Sequence, residues 1–376
     1  MALKVGLVGL PNVGKSTLFN AITKSSIPAE NYPFCTVDPH VSITYVPDER
    51  LNKLMTIFSS QKKLPATVQF VDIAGLVKGA SKGEGLGNQF LSNIMEVDLV
   101  LHILRCFDDA NITHVSNKID PINDFEVICA ELMLKDLESI LKRRERLEGF
   151  LKSSKIKQAT TQQIADWEKE LDFIKNVEIA VNNTDQSKVQ QLVTKFKEEN
   201  IQTIPLISGK NFLIVANISE DDYANKTYVN NEYYKKLIAH FGQDKVIPVS
   251  AKIESELSQM NEADAQEMLE SLGITEKGLD NIVEKAYKSL GLITFFTCGP
   301  KEAHAWSITQ GTKAPQAAGT IHSDFERGFI CSETYNCKDI FELGTEQKLK
   351  VSGKMRTEGK EYIVQDGDIL NFRFNV

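Results

Sequence analysis

Short, nearly unbroken apolar runs recur through the first 125 residues and predict buried strands. They cover Lys4–Gly9, Thr67–Asp72 and Leu99–Leu104. Segments of helix-like and loop-like composition separate these runs. Parallel strands that are covered on both faces have this continuous apolar character, and they need long crossover connections. The pattern therefore predicts an α/β fold, with a mostly parallel sheet and helices on both of its faces.

The periodicity changes at about residue 126, where apolar residues begin to recur every three or four positions. The first stripe contains Ala130, Leu134, Leu137 and Leu141. After the polar stretch at residues 153–161, a second stripe contains Ile164, Trp167, Leu171, Ile174 and Val181. We predict an antiparallel, coiled-coil-like hairpin of two long helices, inserted as an α-helical domain at residues 126–200.

Strand-like sequence resumes after the helical block. Phe212–Ala216 and Val246–Val249 are compact apolar runs, and polar residues follow both. The first domain is therefore predicted to comprise residues 1–125 and 201–290. Residues 291–376 are rich in glycine, threonine and short alternating runs such as Tyr362–Val364 and Ile369–Phe374, which predicts a small separate β-rich domain.

Composition narrows the class of protein. The 376 residues carry a net charge of −8, so the whole molecule gives no reason to expect a nucleic-acid-coating protein, although a local basic patch would remain compatible. The six cysteines contain no C-x-x-C pair, which argues against a disulfide framework and a zinc site. The amino-terminal run resembles a strand rather than a signal peptide, and no run approaches the roughly 20 apolar residues of a membrane span. We expect a cytoplasmic protein with no membrane association.

Residues 9–16 match the phosphate-loop pattern G-x-x-x-x-G-K-S/T. The match follows a predicted strand and precedes a helix-like segment, which is the context that the motif requires. Glycines at both ends allow successive N–H groups to point at phosphates, while the lysine reaches the β- and γ-phosphates. The predicted nucleotide contacts are Asn12, Val13, Gly14, Lys15, Ser16 and Thr17. Lys15 is also a candidate catalytic residue.

A magnesium site is predicted beside this loop. Asp72 and Gly75 form a D-x-x-G motif at the end of a predicted strand, where the aspartate holds Mg²⁺ and the glycine N–H meets the γ-phosphate. The Ser16 hydroxyl is a second metal ligand, and Thr36 is the candidate first-switch threonine that completes the shell. Cys35 adjoins that threonine, so its oxidation would perturb the switch; an unreactive small apolar side chain is the alternative.

The residue that orients the attacking water is left open by the sequence. Small GTPases place a glutamine directly after D-x-x-G, but this chain has Leu76 there, which cannot orient water. His114 is one candidate for that catalytic role. A monovalent cation such as K⁺, with Asn12 among its ligands, is the other.

Two segments compete for base recognition. Asn117 to Asp120 match the guanine-reading motif N-K-x-D literally. However, no apolar strand precedes them, and no S-A-K sequence follows at the expected distance. Residues 217–220 directly follow a predicted strand, and S-A-K follows at a suitable distance. There the lysine is replaced by Ile218 and the aspartate by the longer Glu220, which displaces the carboxylate from guanine. We predict ATP over GTP, with Asn217, Ile218, Glu220, Ser250 and Ala251 around the base.

These motifs together resemble the Obg-like ATPase family, also called YchF. The resemblance rests on residues 9–17, 31–36, 72–81 and 217–220, and on residues 310–319 and 366–370, which look like that family's C-terminal TGS domain. It implies a translation-factor-class P-loop NTPase with a coiled-coil insertion and a β-grasp TGS domain. It also implies hydrolysis of ATP in preference to GTP, and ribosome association. A histidine in the family stretch that matches residues 114–116 supports His114.

Basic residues cluster at the predicted tip of the hairpin. They are Lys142, Arg143, Arg144, Arg146, Lys152, Lys155 and Lys157, against Glu145 and Glu148. A solvated face and a contact with a phosphate backbone such as ribosomal RNA are both compatible with this cluster. We expect the protein to be a monomer. Two functions remain open: a regulatory ATPase whose binding to the ribosome depends on the bound nucleotide, or a nucleotide-gated factor that sequesters a protein and in which nucleotide hydrolysis is incidental.

Overall fold

The computed structural model of the chain describes residues 4–25, 40–73, 94–109, 111–112, 118–153, 158–199 and 203–375. The strands are β1 (Lys4–Val8), β2 (Val41–Tyr45), β3 (Lys62–Leu64), β4 (Thr67–Asp72), β5 (Leu99–Arg105), β6 (Asn211–Asn217), β7 (Val246–Val249), β8 (Leu292–Cys298), β9 (Glu302–Thr309), β10 (Phe329–Asn336), β11 (Arg356–Glu358) and β12 (Asp368–Phe374). The helices are α1 (Lys15–Lys24), α2 (Glu49–Phe58), α3 (Pro121–Lys152), α4 (Thr161–Asn182), α5 (Gln186–Glu198), α6 (Glu220–Ala224), α7 (Glu232–Phe241), α8 (Ala251–Leu257), α9 (Glu262–Ser271), α10 (Gly278–Ser289), α11 (Ala314–Ile321), α12 (Ser323–Arg327), α13 (Cys337–Leu343) and α14 (Glu346–Val351).

The first sheet has the order β2-β4-β1-β5-β6-β7. Its strands are parallel except for β2, which runs antiparallel to β4 at one edge. The apolar side chains of β1, β5 and β6 are almost all buried, as their continuous apolar sequence predicts. The five strands predicted for this domain are confirmed to within two residues at each end. Edge strand β2 was missed, because its sequence VSITY is short and half polar.

A helical hairpin leaves the first sheet between β5 and β6. Helices α3 and α4 are joined across residues 153–160, where the polar break predicts a turn. Helix α3 begins before the predicted boundary at residue 126, because Asp120 caps it by accepting a hydrogen bond from the Asn123 N–H at 3.3 Å. Its first turns contribute Phe125 and Ile128 to the core of the sheet domain, whereas Ile140 belongs to the separate core of the hairpin.

The second sheet has the order β11-β10-β12-β8-β9-β3. Strands β8 and β9 form a hairpin, and β12 lies parallel to β8, with α11 packed on the sheet; this is a β-grasp arrangement. Residues 362–364 are not a strand as predicted, since Ile363 forms only an isolated bridge with Lys313. None of the described helices has the length and apolar character that crossing a bilayer requires.

The second sheet includes a strand from the amino-terminal part of the chain. Lys62 of β3 pairs in register with Glu302 of β9. Helix α2 lies beside it, and its Arg50 donates to Asp366 of the C-terminal domain at 2.6 Å. Leu54 of α2 and Phe296 of β8 share one continuous core. The segment between β2 and β4 therefore joins the two sheets, although the sequence predicted that it belongs wholly to the first domain.

Candidate functional site

Five parallel strands of the first sheet end along one edge. The last residues of β1, β4, β5, β6 and β7 are Val8, Asp72, Arg105, Asn217 and Val249. Open α/β sheets bind their ligands outside the carboxyl ends of their strands. The predicted phosphate, metal and base residues that the structure describes all lie on this edge, or on the loop and helix that follow it.

The phosphate loop has the backbone conformation that its glycines permit. Gly14 is the N-cap residue of α1 and has a φ of 98°, in the left-handed region. A Cβ atom at Gly14 would collide with the side-chain amide of Asn217, so this position also requires glycine for close approach. Asn12 has a φ of 65°, which asparagine tolerates better than most residues. Ser16 and Thr17 are exposed in the first turn of α1, where N–H groups are available to phosphate.

A cation and a carboxylate meet beside this loop. Lys15 Nζ forms an ion pair with Asp72, whose side chain is 19% exposed. Lys15 begins α1 and Asp72 ends β4, so the sheet brings together two residues that are far apart in the sequence. Carboxylate and hydroxyl oxygens are the ligands that Mg²⁺ prefers, and Ser16 supplies an exposed hydroxyl in the same turn as Lys15. The chemistry of these donors fits a magnesium ion held together with a nucleotide phosphate.

Asn217 connects the phosphate loop to the loop after β7. Its Nδ2 donates to the carbonyl oxygen of Val13 at 2.8 Å, and its Oδ1 accepts from the Ala251 N–H at 3.0 Å. The side chain is buried, and Val13 packs its own side chain into the core. One N–H of the amide group and one lone pair of its oxygen remain for a base. Asn217 therefore fixes the relative position of the two loops as well as facing the site.

The rest of the base motif makes contacts within the protein. The Ile218 side chain is buried in the core, and its backbone N–H donates to the Val249 carbonyl at 2.8 Å. Both groups are engaged within the protein, and adenine recognition by backbone groups near Ile218 stays a prediction. Glu220 begins α6, and its carboxylate accepts from Lys252 Nζ at 2.5 Å. The buried hydroxyl of Ser250 has no hydrogen-bond partner within the described residues.

The literal N-K-x-D sequence has a structural role where the structure describes it. Asp120 is the N-cap of α3, and its side chain accepts from the helix backbone. Its carboxylate is therefore committed to the start of α3. Of the three motif residues that the structure describes, Asp120 is thus explained by helix capping. Thr36, Gly75, Leu76, His114 and Cys35 lie outside the described residues.

Two features of the site were missed by sequence reasoning. Arg105, the last residue of β5, is fully buried and donates to three loop carbonyl groups. The sequence contained an indication of this role, because an arginine at the end of an otherwise apolar strand is unusual. Glu254 in α8 is also buried, and burial raises its pKa to about 7 although the Gly278 N–H donates to it at 2.7 Å. No spacing in the sequence pointed to this residue.

The basic cluster at the tip of the hairpin is partly neutralised. Arg143 donates to Glu170 at 2.8 and 2.6 Å, and Arg144 donates to Glu178 at 2.7 and 2.6 Å. Both carboxylates come from α4, so counting charges along α3 alone overestimated the cluster. Of the cluster on α3, the described side chains that stay exposed are Lys142, Arg146 and Lys152. Lys155 and Lys157 lie outside the described residues.

Comparisons with known proteins agree with this geometry. A family model described as a 50S ribosome-binding GTPase matches residues 4–143, and the C-terminal domain model of YchF-type GTPases, described as a protein of unknown function, matches residues 292–375. The protein named ribosome-binding ATPase YchF of Bacillus subtilis is 46% identical over 378 residues, covering 100% of both chains. The chain belongs to the YchF family. This membership and the predicted fold class are confirmed, and the chain is a P-loop nucleoside triphosphatase.

Other YchF relatives match along the whole chain. Obg-like ATPase 1 of Oryza sativa subsp. japonica is 42% identical over 378 residues, which cover 100% of this chain and 92% of that protein. The structure of the Schizosaccharomyces pombe YchF GTPase has a TM-score of 0.84 and 38% sequence identity, and the match covers 99% of this chain and 97% of that one. The names of these proteins include both ATPase and GTPase, so the base preference has to be argued from the site itself.

Proposed function

We propose that this chain is a Mg²⁺-dependent nucleoside triphosphatase that hydrolyses ATP in preference to GTP and binds the ribosome. One observation carries the base preference: the only carboxylate in the base motif, Glu220, is engaged by Lys252 at 2.5 Å. Guanine recognition by N-K-x-D needs a carboxylate free to accept two hydrogen bonds from the base. Glu220 is one methylene longer than aspartate, and its Oε2 already accepts from Lys252, so we expect it to be a poorer double acceptor for guanine.

The phosphate end of the site is assigned to the loop and its neighbours. Lys15 exchanges its partner Asp72 for the β- and γ-phosphates, while Ser16 and Asp72 hold magnesium together with Thr36. Gly75 donates its N–H to the γ-phosphate in this proposal. When bound, magnesium neutralises charge on the phosphate oxygens. Asn12, Val13, Gly14 and Thr17 contribute the loop and the first turn that surround the phosphates.

The adenine end is assigned to Asn217 and to the loop after β7. The uncommitted N–H and lone pair of the Asn217 amide match a ring nitrogen or the exocyclic amino group of adenine. Ser250 adds a buried hydroxyl without a partner in the described residues, directly before Ala251. An amide and a hydroxyl can both donate and accept, so they do not require the donor pattern that is specific to guanine.

The attacking water has two candidate organisers, as the sequence indicated. His114 supplies a side chain able to orient water, whereas K⁺ beside the phosphates, with Asn12 as a ligand, would act through its charge. The two differ in a simple observable. Replacing K⁺ by Na⁺ lowers turnover if the cation has this role, and leaves it unchanged if His114 acts alone.

Ribosome binding is proposed from the family and from the surface of the hairpin. The relatives named ribosome-binding ATPase match over their full length, at 46% and 43% identity. The exposed cations Lys142, Arg146 and Lys152 lie at the end of α3 that is remote from the sheet core. Phosphate backbones are bound by such positioned cations without base readout. We further propose that the protein is a cytoplasmic monomer with a C-terminal TGS domain.

Steady-state hydrolysis of ATP and GTP by the full chain tests this proposal. With Mg²⁺ present, kcat/KM for ATP should exceed that for GTP by about tenfold or more, since lost charge-assisted hydrogen bonds are worth about 1.5–3 kcal/mol each. EDTA should abolish both activities. Faster GTP hydrolysis would overturn the base assignment, and activity that survives EDTA would overturn the metal assignment.

A further inference from the structure

Arg105 is a buried cation that the phosphate, metal and base assignments leave unused. It is the last residue of β5, and its side chain is 1% exposed. Strand β5 lies between β1, which leads into the phosphate loop, and β6, which ends at Asn217. Arg105 is the register partner of Asn217, so the two side chains point to the same face of the sheet.

The guanidinium group holds the loop that follows its own strand. Nε donates to the Phe107 carbonyl at 3.0 Å, Nη1 to the Ile112 carbonyl at 3.0 Å, and Nη2 to the Asp109 carbonyl at 3.2 Å. The group also lies 4.8 Å from the centre of the Phe107 ring. Three donors in one rigid plane thus bind three carbonyl groups of an irregular loop and help to set its course.

The same loop is tied to the base side of the site. The Cys106 N–H donates to the Asn217 carbonyl at 2.9 Å, and Asn231 Nδ2 donates to the Cys106 carbonyl at 3.0 Å. Burying a cation is costly, and an apolar residue would fill the space without that cost. A buried arginine at this position therefore favours a role in fixing the loop over a role in stabilising the sheet.

We infer that Arg105 is a positioning residue for nucleotide hydrolysis. It acts through the described residues 106–109 and 111–112, which follow β5, the strand between β1 and β6. Displacement of a group by about 1 Å near reacting atoms can cost about a hundredfold in rate. Loss of the hydrogen bonds from Arg105 to the loop should therefore lower turnover more than it lowers nucleotide affinity. This inference rests on the proposed hydrolysis of ATP.

The test compares Arg105→Met and Arg105→Lys with Leu104→Ala. Leu104 is the preceding core residue, on the opposite face of β5, so its variant controls for loss of stability. For each full-length variant, kcat for ATP, the Kd of a fluorescent ATP analogue and the thermal unfolding midpoint are measured with Mg²⁺. Lysine keeps the charge but cannot donate to three carbonyls in one plane, so it should not rescue turnover.

We expect kcat to fall at least about tenfold in both Arg105 variants, with the Kd changed less than about threefold. The Leu104→Ala variant should lose thermal stability and keep its kcat. If Arg105→Met does not fold, Arg105→Lys carries the test. Unchanged kcat in a folded Arg105 variant, or an equal loss of kcat in Leu104→Ala, overturns the inference. Absence of hydrolysis by the wild-type chain would instead overturn the proposed function.

Discussion

Glu220 and Lys252 form an ion pair across the base site, with Glu220 Oε2 2.5 Å from Lys252 Nζ. The two residues belong to the two motifs that surround the base in P-loop GTPases, one after β6 and one after β7. In this chain the carboxylate of Glu220, in the motif after β6, contacts the lysine of the motif after β7. In the proposed site, this pair is the reason we expect the carboxylate at this place to bind guanine poorly.

Lys15→Ala should abolish hydrolysis and leave the fold intact. Lys15 is the only lysine in the phosphate loop motif, and removing a preorganised charge from a transferring phosphoryl group costs about a hundredfold to a thousandfold in kcat. Lys24→Ala, at the other end of α1, is the matched control and should keep wild-type activity. ATP turnover and circular dichroism of both variants provide the check. A fully active Lys15→Ala protein would remove the phosphate-loop assignment.

His102 should make the protein less stable in mild acid. Burial lowers its pKa from 6.5 to about 3, so the folded chain keeps the ring neutral. Below pH 6.5 the unfolded chain binds a proton at His102 that the folded chain does not bind. The free energy of unfolding therefore falls as the pH drops from 6.5 toward 3. Between pH 7.5 and pH 5.0 the free energy of unfolding should drop by about 2 kcal/mol relative to His102→Leu.

Comparison with a variant is needed because Glu254 acts in the opposite direction. Its pKa is raised from 4.5 to about 7, so its protonated form favours the folded state and its contribution falls as the pH rises through that interval. Urea unfolding at several pH values, on wild type and His102→Leu, separates the two groups. His240→Gln, at an exposed histidine of α7, should keep the wild-type dependence. Parallel curves for wild type and His102→Leu would show that the folded ring takes up protons normally.

Arg143 should stabilise the hairpin, whereas Arg146 should not. Removal of Arg143 leaves the buried carboxylate of Glu170 without its bidentate partner, at a cost of about 2–4 kcal/mol given the partial exposure of the arginine. Arg146→Ala loses only a contact 5.4 Å from the Phe150 ring and should cost less than about 1 kcal/mol. Unfolding followed by Trp167 fluorescence, in a Trp306→Phe background, reports on the hairpin. Equal costs for the two variants would show that the ion pair contributes nothing.

The exposed tip cations should determine how strongly ribosome binding depends on salt. Changing Lys142, Arg146 and Lys152 to Glu should weaken co-sedimentation with ribosomes and flatten its dependence on salt, because fewer counterions are released. ATP hydrolysis in isolation should not change. The control carries the same change in charge elsewhere, as Lys188→Glu, Lys235→Glu and Lys236→Glu, and should bind normally. If both triple variants co-sediment with ribosomes equally well over a salt series, the tip cations form only a solvated face and do not contact the ribosome.

The sequence predicted those parts of the fold in which local pattern and burial agree. Continuous apolar runs identified β1, β4 and β5, and the stripes that start at Ala130 and Ile164 identified the hairpin. Each of these signals is contained within one segment of the chain. The phosphate loop is equally local, because its glycine positions and the helix that follows it are set by adjacent residues.

The remaining features depend on pairing between distant segments. Strand β3 has only three residues, two of them lysines, and it becomes a strand through its pairing with β9 about 240 residues later. The partners of Arg143 and Arg144 come from α4, so no count of charges along α3 could find them. Likewise, the ion pair of Glu220 with Lys252 forms only when the ends of β6 and β7 are brought together.

The affinities of the wild-type chain for ATP and GTP, measured side by side with Mg²⁺ by competition against one labelled nucleotide, test the central claim most directly. The account predicts a Kd for ATP at least about tenfold below that for GTP. It also predicts that Asp120→Ala leaves this ratio unchanged, since Asp120 caps α3, and that Glu220→Asp moves the ratio toward GTP. Equal affinities, or tighter binding of GTP that Asp120→Ala removes, would contradict the placement of the base site.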